Sequence, residues 1–144
     1  MKARFFLLIL TTTTLVTATT NIFAQRSWYR GNVRETIRQI ESDTDRFKSS
    51  LDSALDHSNL NGSRAEDEIN DYVKKFEEAT DRLRDRSEDR EYAPGAAREV
   101  LNRGRVINNF MRSNRLGGRA ESDWVIVRNN LNRLAHSYYI NWRW

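Results

Sequence analysis

The residue types that most often carry out chemistry in proteins are sparse in this chain of 144 residues. It contains no cysteine and two histidines, His57 and His136, which fall on different helical segments at opposite ends of the expected fold. Neither histidine belongs to a Glu-x-x-His pair, the spacing that places two di-iron ligands on one helix face. No Gly-x-Ser-x-Gly elbow, phosphate-binding loop or dinucleotide fingerprint occurs. The residues therefore predict no metal, haem or other cofactor, and they argue against an enzyme.

Carboxylates are abundant but alternate with arginine, most clearly over residues 80–90. Side chains three or four residues apart on a helix are neighbours, so opposite charges in such a run form ion pairs on an exposed face. We therefore interpret this run as a solvated helix surface and not as a set of catalytic acids.

Aromatic residues gather where the chain starts, turns and ends. The candidate binding surface consists of six of them: Trp28, Tyr29, Tyr92, Tyr139, Trp142 and Trp144. An antiparallel arrangement of helices would bring all six, with Tyr138, to one end of the fold. Two interpretations stay open: a plug whose rings seal the core, or an exposed platform for a glycan, a lipid interface or a partner protein. We expect Trp28 and Trp142 to be buried and Trp144 to be accessible.

Arginines mark the opposite end of the expected fold. The candidate anion site consists of four that fall in or beside the loops there: Arg64, Arg112, Arg115 and Arg119. The N-terminus of a helix carries partial positive charge and free N–H groups, so an anion can bind there. Acidic residues such as Glu66 and Glu121 already occupy these first turns, which favours ordinary helix capping over an anion site.

The first 24 residues have the pattern of a secretion signal. Lys2 and Arg4 precede an apolar stretch that begins at residues 5–10, and the small residue Ala24 precedes Gln25. The alternative is an uncleaved anchor, but a membrane span needs about 20 predominantly apolar residues and threonines dilute the second half. We therefore predict cleavage after Ala24, export to the periplasm or the outside of the cell, and no stable membrane span afterwards.

Residues 25–144 carry four segments with a helical period and one proline, which predicts an all-α domain. We expect the first helix to begin at Asn32 as an N-cap, and the second to begin with the capping box Ser63 to Glu66. Short connections make neighbours antiparallel, so the predicted fold is an up-down-up-down four-helix bundle; the alternative is three helices with a detached first helix. The inward positions are Val33, Ile37, Ile40, Thr44, Phe47, Leu51 and Ala54; Ile69, Val73, Phe76, Thr80 and Leu83; Ala97, Val100, Leu101, Gly104, Ile107 and Met111; and Trp124, Val127, Leu131, Leu134 and Tyr138.

Charge divides unevenly between the two predicted hairpins. Residues 25–92 hold 13 basic and 17 acidic residues, and residues 93–144 hold 9 and 3, so the net charges are −4 and +6. The hairpins either attract each other through solvated faces or present a basic face to a partner. Export, mixed charge and the absence of a base-reading motif exclude nucleic acid as the expected partner. Residues 60–66 and 116–121 are also similar, which either an internal duplication or convergence on a common turn before a helix would explain.

The chain resembles a group of uncharacterised exported bacterial proteins that are helical and rich in arginine and aspartate. The resembling stretches are residues 76–86, 114–116, and 132–135 with the end at 142–144. The resemblance implies export and no established activity. In size and composition the chain is also similar to small periplasmic helical chaperones, but it lacks their Leu-Thr-x-x-Gln motif.

These observations lead to a ranked expectation of function. The first is a non-catalytic exported bundle that binds an envelope or extracellular partner, either a protein or a glycan, through the aromatic end or the basic hairpin. The alternative is a periplasmic chaperone-like stress protein that binds unfolded clients. An enzyme of unrecognised type ranks third, and the oligomeric state is left open.

Overall fold

The computed structural model describes the backbone of residues 20–144 and the side chains of residues 32–144. Within that range the chain forms α-helices and no strands: α1 (Thr20–Asp56), α2 (Arg64–Glu88), α3 (Pro94–Asn114) and α4 (Gly118–Ser137). The helix α1 packs against α4 and α2, and α3 packs against α2 and α4. The predicted four-helix bundle is confirmed, and α1 is an integral part of it. Most of the predicted signal peptide, and the side chains of Trp28 and Tyr29, lie outside the described residues.

The first helix starts earlier than the sequence predicted. Asn32 was expected to be its N-cap, but α1 is already helical from Thr20 and continues through Gly31. The Asn32 carbonyl accepts a hydrogen bond from the Thr36 hydroxyl, 2.9 Å away. Glu35 does not reach back toward Asn32; its carboxylate accepts from Arg38 and Gln39 instead. The helix runs on because a single internal glycine costs only about 1 kcal/mol, which an adjoining packed helix readily offsets.

The predicted inward positions form the core. All of them are buried except Ala54, which is partly buried, and Leu55 takes the inward place beside it. Two of these positions are threonines, and each satisfies its hydroxyl within its own helix. Thr44 donates to the Ile40 carbonyl at 2.6 Å, and Thr80 donates to the Phe76 carbonyl at 3.0 Å. Because no polar atom of these two side chains is left without a partner, polar residues at the seam do not weaken the core.

The loops at one end of the bundle use the same turn chemistry twice. Ser63 caps α2 as predicted, accepting from the Glu66 N–H at 3.3 Å. The Glu66 carboxylate reaches one residue further back than a capping box requires and accepts from the Gly62 N–H. Before α4, Gly117 likewise donates to Glu121 at 3.0 Å, and both glycines have φ of 69°. The two stretches therefore share the contact between a glycine N–H and the glutamate four residues later. They differ at the next residue, because Ser63 has φ of −92° and caps α2, whereas Gly118 has φ of 58° and α4 has no side-chain cap.

Arg34 of α1 holds the far end of α2. Its guanidinium donates to the Ser87 carbonyl at 3.1 Å and to the Glu88 carbonyl at 3.1 Å. The last carbonyls of a helix have no partner within the helix, so this cation completes the C-terminus of α2 and ties it to α1. Within the part of the chain described, none of the helices combines the length and the apolar character that crossing a membrane requires.

Candidate functional site at the aromatic end

The topology brings several of the predicted aromatic residues to one end of the bundle. Tyr92 lies in the α2–α3 turn, and Tyr138 lies at the C-terminus of α4. Their rings stack with centroids 5.6 Å apart and planes inclined by 28°. Tyr138 is buried, whereas Tyr92 remains 59% exposed. We call this end of the bundle, where α2 and α4 finish, the aromatic end.

Burial changes the acidity of one of these phenols. Burial raises the pKa of Tyr138 to about 12, and the neighbouring Tyr92 adds to the increase. The shift follows because an anion loses more hydration energy than a neutral hydroxyl when it enters an apolar environment. Tyr138 therefore belongs to the core, as predicted from its position on the seam of α4.

Tyr139 terminates α4 in an uncommon backbone conformation. Its φ is 55°, its N–H donates to the His136 carbonyl at 3.0 Å, and the Ile140 N–H donates to the Ala135 carbonyl at 2.8 Å. This pair of bonds is the Schellman motif, in which glycine is the preferred residue at the left-handed position. Here a tyrosine takes that position, and its side chain is 85% exposed. Tyr139 is therefore the most exposed large side chain at the aromatic end.

The chain turns back after Tyr139 and lies along α3 and α4, which are the least closely packed neighbours in the bundle. We call residues 140–144 the C-terminal strap. Ile140 is buried, and both Trp142 and Trp144 are partly buried against the core. Trp144 meets Trp124 edge-on, with centroids 6.5 Å apart. Trp142 was expected to be buried and Trp144 to be accessible; in the structure both rings are partly buried against the core, because the strap lies between α3 and α4.

Polar contacts from both helices hold the strap. The Arg105 guanidinium lies 4.0 Å from the centroid of the Trp142 ring and donates to the Arg143 carbonyl at 2.9 Å. On the other side the Trp144 indole N–H donates to Asn132 Oδ1 at 2.7 Å. A cation over an indole ring and a hydrogen-bonded indole N–H are both favourable at a partly exposed position. Trp142 and Trp144, two of the predicted binding residues, therefore have a structural role in this fold.

A buried polar contact beneath the strap escaped the sequence analysis. Asn108 of α3 is 1% exposed, and its Oδ1 accepts from the Trp124 indole at 3.2 Å and from Arg128 at 3.3 Å. These two donors fix the orientation of the amide, since an exchange of its oxygen and nitrogen would bring donors face to face. The only signal in the sequence is a polar residue directly after the inward Ile107. Its significance depends on partners that come from another helix.

The four arginines of the candidate anion site lie at the other end, and all are exposed. Arg64 pairs with Glu68 at 2.9 Å, and Arg119 lies 3.7 Å from Asp123. At the start of α2 the Glu66 N–H has the Ser63 hydroxyl as its partner, whereas α4 has no side-chain cap and the Gly117 N–H before it donates to Glu121. Arg112 and Arg115 lie at the C-terminal end of α3, where basic residues favour the helix dipole. These contacts are ion pairs and ordinary helix-end contacts, and the anion site stays a prediction.

The two histidines lie at opposite ends of the bundle, as expected. His57 directly follows α1, with Nδ1 2.8 Å from the Ser53 carbonyl oxygen, and His136 lies in the last turn of α4. Among the residues that the structure describes, no three His, Asp or Glu side chains are grouped as a metal ion would require.

Beside the aromatic end, a groove of about 510 Å³ runs between α1 and α4. It is lined by four residues of α1 between positions 32 and 39, and by four residues of α4 between positions 132 and 137. The groove ends two residues before Tyr139 along the chain.

Comparisons of this chain with protein families, with curated proteins and with solved structures found no match.

Proposed function

We propose that this chain is a non-catalytic exported helical bundle that binds a partner of the cell envelope or of the extracellular space through its aromatic end. The partner surface consists of Tyr92 and Tyr139, which are exposed, together with the predicted residues Trp28 and Tyr29. The observation that carries the proposal is Tyr139. Its aromatic side chain is 85% exposed, although its backbone has the left-handed conformation that favours glycine. Export, which the first 24 residues predict, supports an envelope or extracellular partner.

The energetics of Tyr139 favour a role outside the fold. An L-residue in the left-handed region costs about 1 kcal/mol or more relative to glycine, most for bulky side chains. A buried side chain would offset this cost, but Tyr139 is 85% exposed and contributes little apolar burial. Strained residues of this kind cluster at binding and catalytic sites. An exposed, rigid aromatic ring is also the residue type that dominates the energy of many interfaces.

The same end holds a second residue of this kind. Arg90 follows α2 with φ of 63°, and the Glu91 N–H donates to the Arg86 carbonyl at 2.9 Å, so α2 also ends in a Schellman motif without glycine. Arg90 is exposed and lies two residues before Tyr92. The aromatic end thus presents two tyrosines and an arginine, which are enriched at protein interfaces.

The test compares Tyr139→Gly with the wild-type chain as bait for envelope extract, after chemical cross-linking. We expect Tyr139→Gly to raise the free energy of unfolding by about 1 kcal/mol and still to lose the cross-linked partner. Opposite effects on stability and capture distinguish a binding residue from a structural one. Tyr92→Ser should weaken the same capture.

The matched control is Val125→Ala, which removes another exposed apolar side chain from the middle of α4. It should leave the capture unchanged. Undiminished capture by Tyr139→Gly and Tyr92→Ser would contradict the proposal. Truncation after Tyr139 is a poor test, since it removes the strap and with it part of the core.

A further inference from the structure

The side chains that line the groove between α1 and α4 are all polar or charged. Its two walls carry three amides, one carboxylate, one guanidinium, one imidazole and two hydroxyls, from Asn32, Gln39, Asn132, Glu35, Arg133, His136, Thr36 and Ser137. One acidic and one basic side chain balance each other, and no large apolar side chain lines the walls. This composition disfavours a strongly charged ligand, which needs an excess of opposite charge.

A hydrogen bond crosses the groove, and others lie within its α1 wall. Arg133 of α4 donates to Gln39 of α1 at 3.5 Å, and Gln39 donates to Glu35 of its own helix at 3.2 Å. Glu35 is fixed in turn by Arg38 at 2.6 Å. Planar side chains joined in this way keep donors and acceptors at set positions, which lowers the entropy lost when a ligand binds. A side-chain amide both donates and accepts hydrogen bonds. A ligand with many hydroxyl groups requires such partners, because each hydroxyl also donates and accepts.

An exposed aromatic ring follows the α4 wall of this polar groove. Ser137 lines the groove, and the exposed Tyr139 ring comes two residues later in the chain. A sugar ring carries hydroxyls around its rim and C–H bonds on its faces. Polar planar side chains beside an exposed tyrosine ring match both features.

We infer that the α1–α4 groove binds an oligosaccharide chain, whose hydroxyls pair with the amides, Arg133 and His136 and whose sugar faces contact the exposed Tyr139 ring. This inference rests on the proposed function and specifies it, since it makes the partner of the aromatic end a glycan. Length favours a chain over a monosaccharide, because the groove spans about two turns of α1 and about one and a half turns of α4.

The experiment titrates the full mature chain with two probes, cellotetraose and a tetramer of N-acetylglucosamine, and follows backbone amide chemical shifts. We expect at least one probe to bind with a Kd of about 1 mM or lower, with shifts centred on residues 32–39 and 132–139. Gln39→Ala and His136→Ala should each weaken binding about fivefold to tenfold, because each removes hydrogen bonds to the ligand. The matched controls His57→Ala, an exposed histidine at the other end, and Asn109→Ala, an exposed amide on α3, should not change the affinity.

Two results would overturn the inference. One is no saturable shift with either tetramer up to about 20 mM. The other is binding that leaves the groove residues unshifted and that Gln39→Ala and His136→Ala do not weaken. If the tetramers fail while Tyr139→Gly still abolishes capture of a cross-linked protein, the glycan inference falls and the proposed partner binding stands. If capture also survives Tyr139→Gly, both fall.

Discussion

Tyr138 shows how the position of one side chain sets a pH dependence. The ring is buried at the end of α4 and stacks on Tyr92, and burial holds its hydroxyl in the neutral form. Its pKa is about 12 in the fold, compared with the ordinary tyrosine value of 10. Because the folded value is the higher one, the stabilisation is complete below pH of about 10 and is lost as the pH rises toward about 12.

We expect Tyr138→Phe to remove this part of the alkaline destabilisation. By pH of about 11.5 the wild-type chain should have lost about 2 kcal/mol relative to the variant, compared with their difference at pH of about 8. Urea unfolding followed by circular dichroism at both pH values measures this change. Tyr139→Phe, which removes an exposed hydroxyl next in sequence, is the control. A Tyr138→Phe difference that does not change with pH would show that the hydroxyl is solvated.

At the scale of the elements, α3 is shaped to admit the strap. Gly104 lies in the middle of α3, buried against Leu131, Phe76 and Trp144. A Cβ atom at this position would lie 2.8 Å from Leu131 Cδ1 and 3.6 Å from Trp144 Cη2. The glycine thus permits α4 and the strap to approach the α3 backbone, at the expense of helix propensity. Asn108, one turn later, adds the polar contact with Trp124 on the same side.

Two substitutions in α3 should therefore have opposite signs. Gly104→Ala should lower the free energy of unfolding by about 1 kcal/mol, because the strain of overpacking exceeds the gain in helix propensity. Gly95→Ala, near the start of the same helix, meets no atom within 4 Å and should raise it by about 0.5 kcal/mol. Thermal or urea unfolding measures both changes. A stabilising Gly104→Ala would show that Leu131 and the strap yield easily, and the strap would then not be a fixed part of the core.

At the scale of the whole molecule, apolar contacts join the two hairpins far more than ion pairs do. The charges of −4 and +6 suggest mutual attraction. Among the described residues, however, Arg82–Glu99 at 2.8 Å is the one ion pair that links the hairpins, and both side chains are substantially exposed. The Arg84–Glu41 pair at 2.7 Å lies within the first hairpin. Burial raises the pKa of Glu41, although the neighbouring Arg84 opposes this shift. The cost of burying the carboxylate therefore offsets much of the attraction within the pair, and the pair is weak evidence for a stabilising role of charge.

Stability should consequently depend little on salt. Raising NaCl from about 0.05 M to about 0.5 M should lower the free energy of unfolding by less than about 1 kcal/mol, because exposed pairs contribute little and the core is unaffected by screening. Urea unfolding at fixed pH measures the dependence, and Arg82→Gln should give nearly the same slope against salt concentration as the wild-type chain. A loss of several kcal/mol would instead make attraction between the hairpins a principal stabilising force.

Local pattern alone was sufficient for the helices and their inward faces. Positions such as Ile37, Phe76 and Leu131 recur every three or four residues, and this period by itself places them on one side of a helix. Ser63 was recognisable as a cap because a cap is a contact between residues three apart. The prediction of where α1 begins failed, because neighbouring residues alone do not determine it. Asn32 looks like an N-cap, yet α1 extends back through it to Thr20.

Only the tertiary structure decided what the aromatic residues do. The sequence placed Tyr92, Tyr139 and Trp144 at one end, but their exposure depends on the path that the strap takes between α3 and α4. That path depends on Gly104 and Arg105 of α3 and on Asn132 of α4, which are distant in sequence. The same holds for the α1–α4 groove, whose walls come from residues almost 100 positions apart. A helical period determines which face of each helix is buried, whereas contacts between helices determine which polar residues meet.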